Sequence, residues 1–142
     1  MATTRNATTH WEGSLFEGSG KVTLESSGIG TYDVSWPARA EAANGKTSPE
    51  ELIAAAHSTC YSMALSHGLA QAGNPPASID TTAAVTFQPG TGITGIVLSV
   101  VGAVPGITAE QFEEAAQDAK KNCPVSQALS AVPITLETSF TG

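Results

Sequence analysis

The amino-acid sequence predicts an α+β fold in one domain spanning residues 1–142. Three features carry that expectation: a β-type opening punctuated by Gly and Ser, one long capped helical segment in the middle, and strands and helices following it without internal repeats. Residues 11–15, 20–24 and 31–36 are short runs of meander type, with Gly28-Ile29-Gly30 as a turn. A polar connection, 40–46, contains the Asn44-Gly45 turn signal. Ser48-Pro49-Glu50-Glu51 then combines an N-cap serine, a proline at the first helical position and a glutamate at the third, the capping-box arrangement. The helix it opens is expected to run to about Ala72, where Gly73, Pro75 and Pro76 stop it. Its apolar residues, among them Leu52, Ile53, Cys60, Met63, Leu65 and Leu69, go nearly all the way round. Such a helix is central, and in so small a domain a partner subunit is expected to help cover it.

Strands are expected over 81–87 and 93–104, joined around Pro89-Gly90-Thr91-Gly92. Thr108-Ala109-Glu110-Gln111 is a second capping box. It begins an amphipathic helix ending near Lys120-Lys121, whose charges suit the C-terminal dipole. A short helix over 124–130 and a last strand over 133–140 complete the order β-β-β-α-β-β-α-α-β.

Composition narrows the function. Hydrophobic residues make up 41% and charged residues 13%, so the chain can bury a core and is not a charge-solvated coil. A net charge of -7 with 6 Lys+Arg argues against nucleic acid and against an anionic membrane surface, both of which need clustered cations. No apolar run approaches the ~20 residues of a transmembrane helix. Residues 1–10 have no apolar stretch of signal-peptide type, and the expected address is the cytoplasm.

Cys60 and Cys123 are the two cysteines. In a reducing compartment such thiols are buried and inert, or catalytic. Neither belongs to a Cys-x-x-Cys motif or a metal-type cluster, so zinc is not expected. Cys60 lies mid-helix and reads as a small core residue or as a nucleophile. The helix dipole has faded there, so a reactive thiolate needs a cation from elsewhere. Cys123 precedes Pro124, which opens a helix, with Lys120 and Lys121 close in sequence. Free N–H groups at that position favour a thiolate; a residue chosen for packing is the alternative. His57, one turn before Cys60, reads as a proton acceptor, a hydrogen-bond partner or a satisfied interior histidine. His10 and His67 have no comparable neighbour. Arg39, one of two arginines, ends the third strand run, and Glu50 sits in the first helical turn. Each also has an ordinary reading, as a surface cation and a helix-start acid. No Gly-x-Ser-x-Gly, Walker or His-Glu-x-x-His pattern is present.

Several segments, weak singly and specific in this order, carry a resemblance. They are His10-Trp11-Glu12-Gly13, Ser48 to Ile53, Ala55-Ala56-His57 through Ser66, Ser78 to Thr82, Val104-Pro105-Gly106-Ile107 and Cys123 to Leu129. Together they resemble the OsmC/Ohr family of thiol-dependent hydroperoxide reductases over most of the chain. The His-Trp-Glu-Gly start and the histidine three before the first cysteine resemble its OsmC branch.

The resemblance implies an intertwined homodimer with two central helices backed by antiparallel sheets. It implies a peroxidase that prefers organic hydroperoxides to hydrogen peroxide, needs no cofactor, and is recycled by a dithiol such as a lipoyl-bearing protein. By that resemblance Cys60 is peroxidatic, Cys123 resolving, Glu50 the helix-start glutamate and Arg39 the arginine at the end of the third strand. The chemistry fits: a guanidinium can hold a thiolate and stabilise charge as the oxygen–oxygen bond breaks, and the sulfenic acid then condenses with the second thiol. Glu50 and Cys60 are separated by roughly 15 Å of helix, so an arginine held on Glu50 serves Cys60 more easily across a dimer. The competing expectation is a non-enzymatic protein of the same fold that holds a small hydrophobic ligand, its cysteines merely buried. A third is a structural stress protein with neither activity.

Overall fold

A computed structural model describes residues 1–142. The chain packs as two compact units, Met1–Leu52 and Ile53–Gly142.

In the first unit, β1 (Thr8–Glu12), β2 (Ser19–Thr23) and β3 (Thr31–Val34) form an antiparallel meander in sequence order. The third strand stops at Val34, where the sequence predicts it to continue through Trp36. Residues Trp36–Ala40 instead form a short helix, α1. The reason is local: Ser35 is extended and its hydroxyl accepts the Ala38 N–H at 3.3 Å, and Pro37 sits in the first turn, where its fixed φ suits a helix. Arg39 is therefore carried on a helix and not on a strand end.

The long helix α2 (Pro49–Gln71) starts as its sequence indicates. Ser48 Oγ accepts the Glu51 N–H at 3.2 Å. The reciprocal half of the expected box is altered, because the Glu51 carboxylate takes the Thr47 hydroxyl at 2.6 Å.

In the second unit, β4 (Ser78–Gln88) and β5 (Gly92–Ala103) make an antiparallel hairpin with a register shift at Thr86/Phe87. The last strand, β6 (Ile134–Phe140), adds to β5 in parallel, from Ile96↔Ile134 to Gly102↔Phe140. This sheet is mixed, which corrects the expectation of wholly antiparallel sheets. Between β5 and β6 the chain passes through α3 (Ala109–Asn122) and α4 (Pro124–Ala128), and a crossover of that length returns a strand in the same direction. The capping box of α3 is complete, with Thr108 Oγ1 accepting the Gln111 N–H at 3.1 Å and Gln111 Oε1 accepting the Thr108 N–H at 2.9 Å.

The core of this unit gathers Tyr61, Leu65 and Leu69 from α2 with Leu98, Val100, Val104, Phe112, Ala119 and Cys123. Tyr61 donates its hydroxyl to the Ala116 carbonyl at 2.8 Å, satisfying a buried polar atom. Other faces of α2 remain open: Ala55, Ala56 and Thr59 are exposed, and Met63 is 67% exposed. No helix is long and apolar enough to cross a membrane.

Candidate functional site: a thiol pair and an arginine–carboxylate clamp

The core of the second unit brings the two cysteines together. Both are free thiols, and their side chains share a hydrogen bond. Cys60 projects from α2 at a half-buried position, whereas Cys123 is fully buried. Cys123 closes α3, donating its N–H to the Ala119 carbonyl at 2.9 Å, and it is at the same time the N-cap of α4. Pro124 follows and has no N–H to offer. The next donors are the amides of Val125 and Ser126. Sulfur, large and a weak acceptor, closes no regular cap hydrogen bond with them. They act on it as aligned dipoles, joined by the Ser126 hydroxyl.

The two thiols are driven apart in acidity. Burial alone would raise the Cys123 thiol. The hydrogen bond from Cys60, the Ser126 and Val125 amides and the Ser126 hydroxyl outweigh that, and the thiol lies below its ordinary value. Burial pushes the Cys60 thiol up; the Val125 amide opposes this, and Cys123 beside it raises it further. Within one chain Cys123 is therefore the more acidic thiol of the pair. Lys120 and Lys121, close to Cys123 in sequence, end α3. The lowering of Cys123 comes first from the hydrogen bond with Cys60 and then from the start of α4.

His57 is fully buried one turn before Cys60, but it is not bonded to that thiol. Its Nε2 lies 2.7 Å from Ser126 Oγ, and its Nδ1 is buried without a partner. Burial lowers its pKa, so the ring is neutral at neutral pH. Ser126 is the member of the site that sequence reasoning missed. The signal was its place at the third position of a helix whose N-cap is Cys123, where a hydroxyl lies back over the cap. His10 pairs with Glu12 at 3.0 Å in the open, and His67 is exposed.

In the first unit Arg39 and Glu50 form a clamp. Arg39 Nε donates to Glu50 Oε1 at 3.0 Å and Oε2 at 3.1 Å, and Arg39 Nη2 donates to Oε2 at 2.9 Å. The Glu50 side chain is 8% exposed and that of Arg39 30% exposed, so the pair is held firmly. Glu50 is thus more than a helix-start acid. Arg39 also lines an apolar cavity of about 380 Å³ with Trp11, Leu15, Val22, Trp36 and Leu52.

The family described as OsmC-like protein matches residues 42–137. Over 131 residues the chain is 48% identical to Peroxiredoxin OsmC of Escherichia coli (strain K12), covering 90% of each chain. The identity and coverage are the same for Peroxiredoxin OsmC of Shigella flexneri. Solved structures of similar fold include an organic hydroperoxide resistance protein OsmC from Legionella pneumophila, with a TM-score of 0.73, 22% identity, and coverage of 100% of this chain and 99% of that one. An OsmC-like protein from Mycoplasma pneumoniae has a TM-score of 0.75 at 13% identity, with both chains covered in full. At such identities the solved structures speak for the fold, and the sequence matches speak for kinship. By the family match and the sequence identity, the chain belongs to the OsmC family.

Proposed function

We propose that the protein is a homodimeric thiol peroxidase that reduces organic hydroperoxides, and hydrogen peroxide less well, with Cys60 attacking and Cys123 resolving. The observation that carries the assignment of roles is the unequal burial of two thiols in contact. A substrate can approach half-buried Cys60, while Cys123 is closed off and touches the sulfur it would have to attack.

The Cys60 thiolate attacks the distal peroxide oxygen, the oxygen–oxygen bond breaks, and the alkoxide leaves as an alcohol after taking a proton. Cys60 is left as a sulfenic acid. Because burial holds the Cys60 thiol up, a cation is needed to form its thiolate, and Arg39 clamped on Glu50 is the group suited to supply it. We assign that arginine to the partner subunit. The apolar cavity beside Arg39 suits the carbon tail of an organic hydroperoxide, and the relatives named Peroxiredoxin OsmC support the reaction class. The exposed apolar positions on α2 favour the dimer.

Cys123 then displaces the sulfenic hydroxyl, giving a Cys60–Cys123 disulfide and water. An external dithiol, such as a lipoyl-bearing protein in the cytoplasm, restores both thiols. Attack at the accessible Cys60 sulfur expels Cys123, the better leaving group for its lower pKa.

Single-turnover oxidation tests the roles. Cys60→Ser should abolish hydroperoxide consumption, and Cys123→Ser should consume one equivalent and accumulate a Cys60 sulfenic acid. A burst kept by Cys60→Ser and lost in Cys123→Ser would reverse the assignment.

A further inference from the structure

His57 and Ser126 are a buried polar pair that the mechanism above leaves without work. His57 is wholly enclosed and leaves Nδ1 unpartnered. A buried polar atom without a partner is costly, and an apolar side chain of similar shape would avoid that cost. Its other nitrogen makes one contact, the 2.7 Å bond to Ser126 Oγ. Ser126 in turn is buried, and its hydroxyl acts on the Cys123 sulfur. Resting on the assignment of Cys123 as the resolving thiol, we propose that His57, Ser126 and Cys123 form a proton wire that takes the proton from Cys123 when it attacks the Cys60 sulfenic acid.

The wire as proposed runs in one sense. Before resolution Cys123 is a thiol: its S–H donates to Ser126 Oγ, and the Ser126 O–H donates to His57 Nε2, so the neutral ring carries its proton on Nδ1. As Cys123 attacks, its proton passes to Ser126 Oγ and the Ser126 proton to His57 Nε2. Both hydrogen bonds survive with donor and acceptor exchanged. The new thiolate then receives the Ser126 O–H along with the influence of the Val125 and Ser126 amides. The Cys123 electron pair forms the sulfur–sulfur bond, and the sulfur–oxygen bond of Cys60 breaks. The expelled hydroxide takes a proton from solvent and leaves as water, and His57 returns its proton along the same two bonds when reduction frees the Cys123 thiolate. Cys123 is oxidised, the sulfenic sulfur is reduced, and no further reagent is required.

The wire answers a problem specific to the resolving step. Once Cys60 is a sulfenic acid, the hydrogen bond that helps Cys123 to ionise in the reduced protein is altered, and no solvent base reaches a fully buried sulfur. The other titratable groups around the wire are Cys60 and Tyr61 on α2, with Glu113 of α3 acting on Tyr61. Tyr61 is pushed up by burial and gives its proton to the Ala116 carbonyl, so it is no base. His57 and Ser126 act through Cys123 and are positioning residues for it.

The test follows the first turnover of the full-length protein with one equivalent of cumene hydroperoxide. Quenching in dimedone and mass spectrometry separate Cys60 sulfenic acid from disulfide at each time. In Ser126→Ala and in His57→Asn, which can still accept a hydrogen bond but not hold a proton, Cys60 should still oxidise. Conversion to disulfide at neutral pH should slow by roughly 100-fold, the scale of positioned proton transfer. Its rate should then climb about tenfold per pH unit, as for an unaided thiol, where the native protein stays flatter. If His57→Asn resolves at the native rate with the native pH profile, the wire is refuted. The same holds if both variants slow without a change of profile, which is the mark of a merely structural pair. A dimedone adduct on Cys123 in place of Cys60 would instead overturn the assignment of roles on which the wire rests.

Discussion

Gly102 of β5 and Phe112 of α3 meet so closely that a Cβ at position 102 would lie inside van der Waals range of the Phe112 ring. Phe112 cannot simply turn away, because it is buried and stacks on Phe140 of β6 with ring centroids 5.3 Å apart. Gly102→Ala is therefore an overpacking substitution, expected to cost about 1–3 kcal/mol. Urea unfolding should show a lower midpoint at unchanged slope, and an unchanged midpoint would show that the helix–sheet contact is soft.

The same contact bears on what the sequence discloses. The hairpin, the capping box at Thr108 and the start of α2 were legible because each depends on residues a few positions apart. The parallel pairing of β6 with β5 was not, since it joins residues as far apart as Ile96 and Ile134 and no local signal encodes the direction of return. Helix α1 carried its signal in Ser35 and Pro37, but the β-type run before Trp36 hid it. Of the site, the cysteines, Arg39, Glu50 and His57 could be singled out from chemistry and resemblance. The partner of His57 could not, because α4 brings Ser126 to it from 69 positions away.

Pairing of the two thiols predicts the form of the oxidised protein. After treatment with a hydroperoxide it should run on a non-reducing denaturing gel with monomer mobility, carrying an intramolecular Cys60–Cys123 disulfide. A covalent dimer as the main product would count against the pairing.

Sharing of sites between subunits predicts a complementation result. Cys60→Ser and Arg39→Ala proteins should each be inactive, yet after subunit exchange their mixture should regain activity. If Arg39 of one chain serves Cys60 of the other, each heterodimer contains one intact site. A mixture that stays inactive after proven exchange would confine the arginine to its own chain. Glu50→Ala should imitate Arg39→Ala in part, since it removes the three hydrogen bonds that hold the guanidinium.

His57 predicts a pH dependence of stability. Burial lowers its pKa in the folded chain below the ordinary 6.5 that it regains on unfolding. Between those two values the unfolded chain binds a proton that the folded chain refuses. Stability from this source is therefore complete above pH 6.5 and is lost as pH falls through the window beneath it. His57→Asn should lose less stability than the native protein between pH 7.5 and 5.5, read as the shift in urea midpoint. Equal shifts would place the acid sensitivity elsewhere.

The parallel return of β6 also sets an order of events in the life of the chain. Both α3 and α4 lie inside the crossover that β6 closes on β5, so the segment that carries Cys123 is closed at both ends only when that ladder forms. Contacts so distant in sequence are among the slow ones in folding, because the intervening loop must be closed before they form. Helix α2, whose start depends on neighbouring residues, can carry Cys60 before Cys123 has a fixed address. On the roles proposed for the two cysteines, a newly made chain that meets hydroperoxide in that interval has an accessible thiol and no resolving partner. It is exposed to over-oxidation in a way that the finished protein is not.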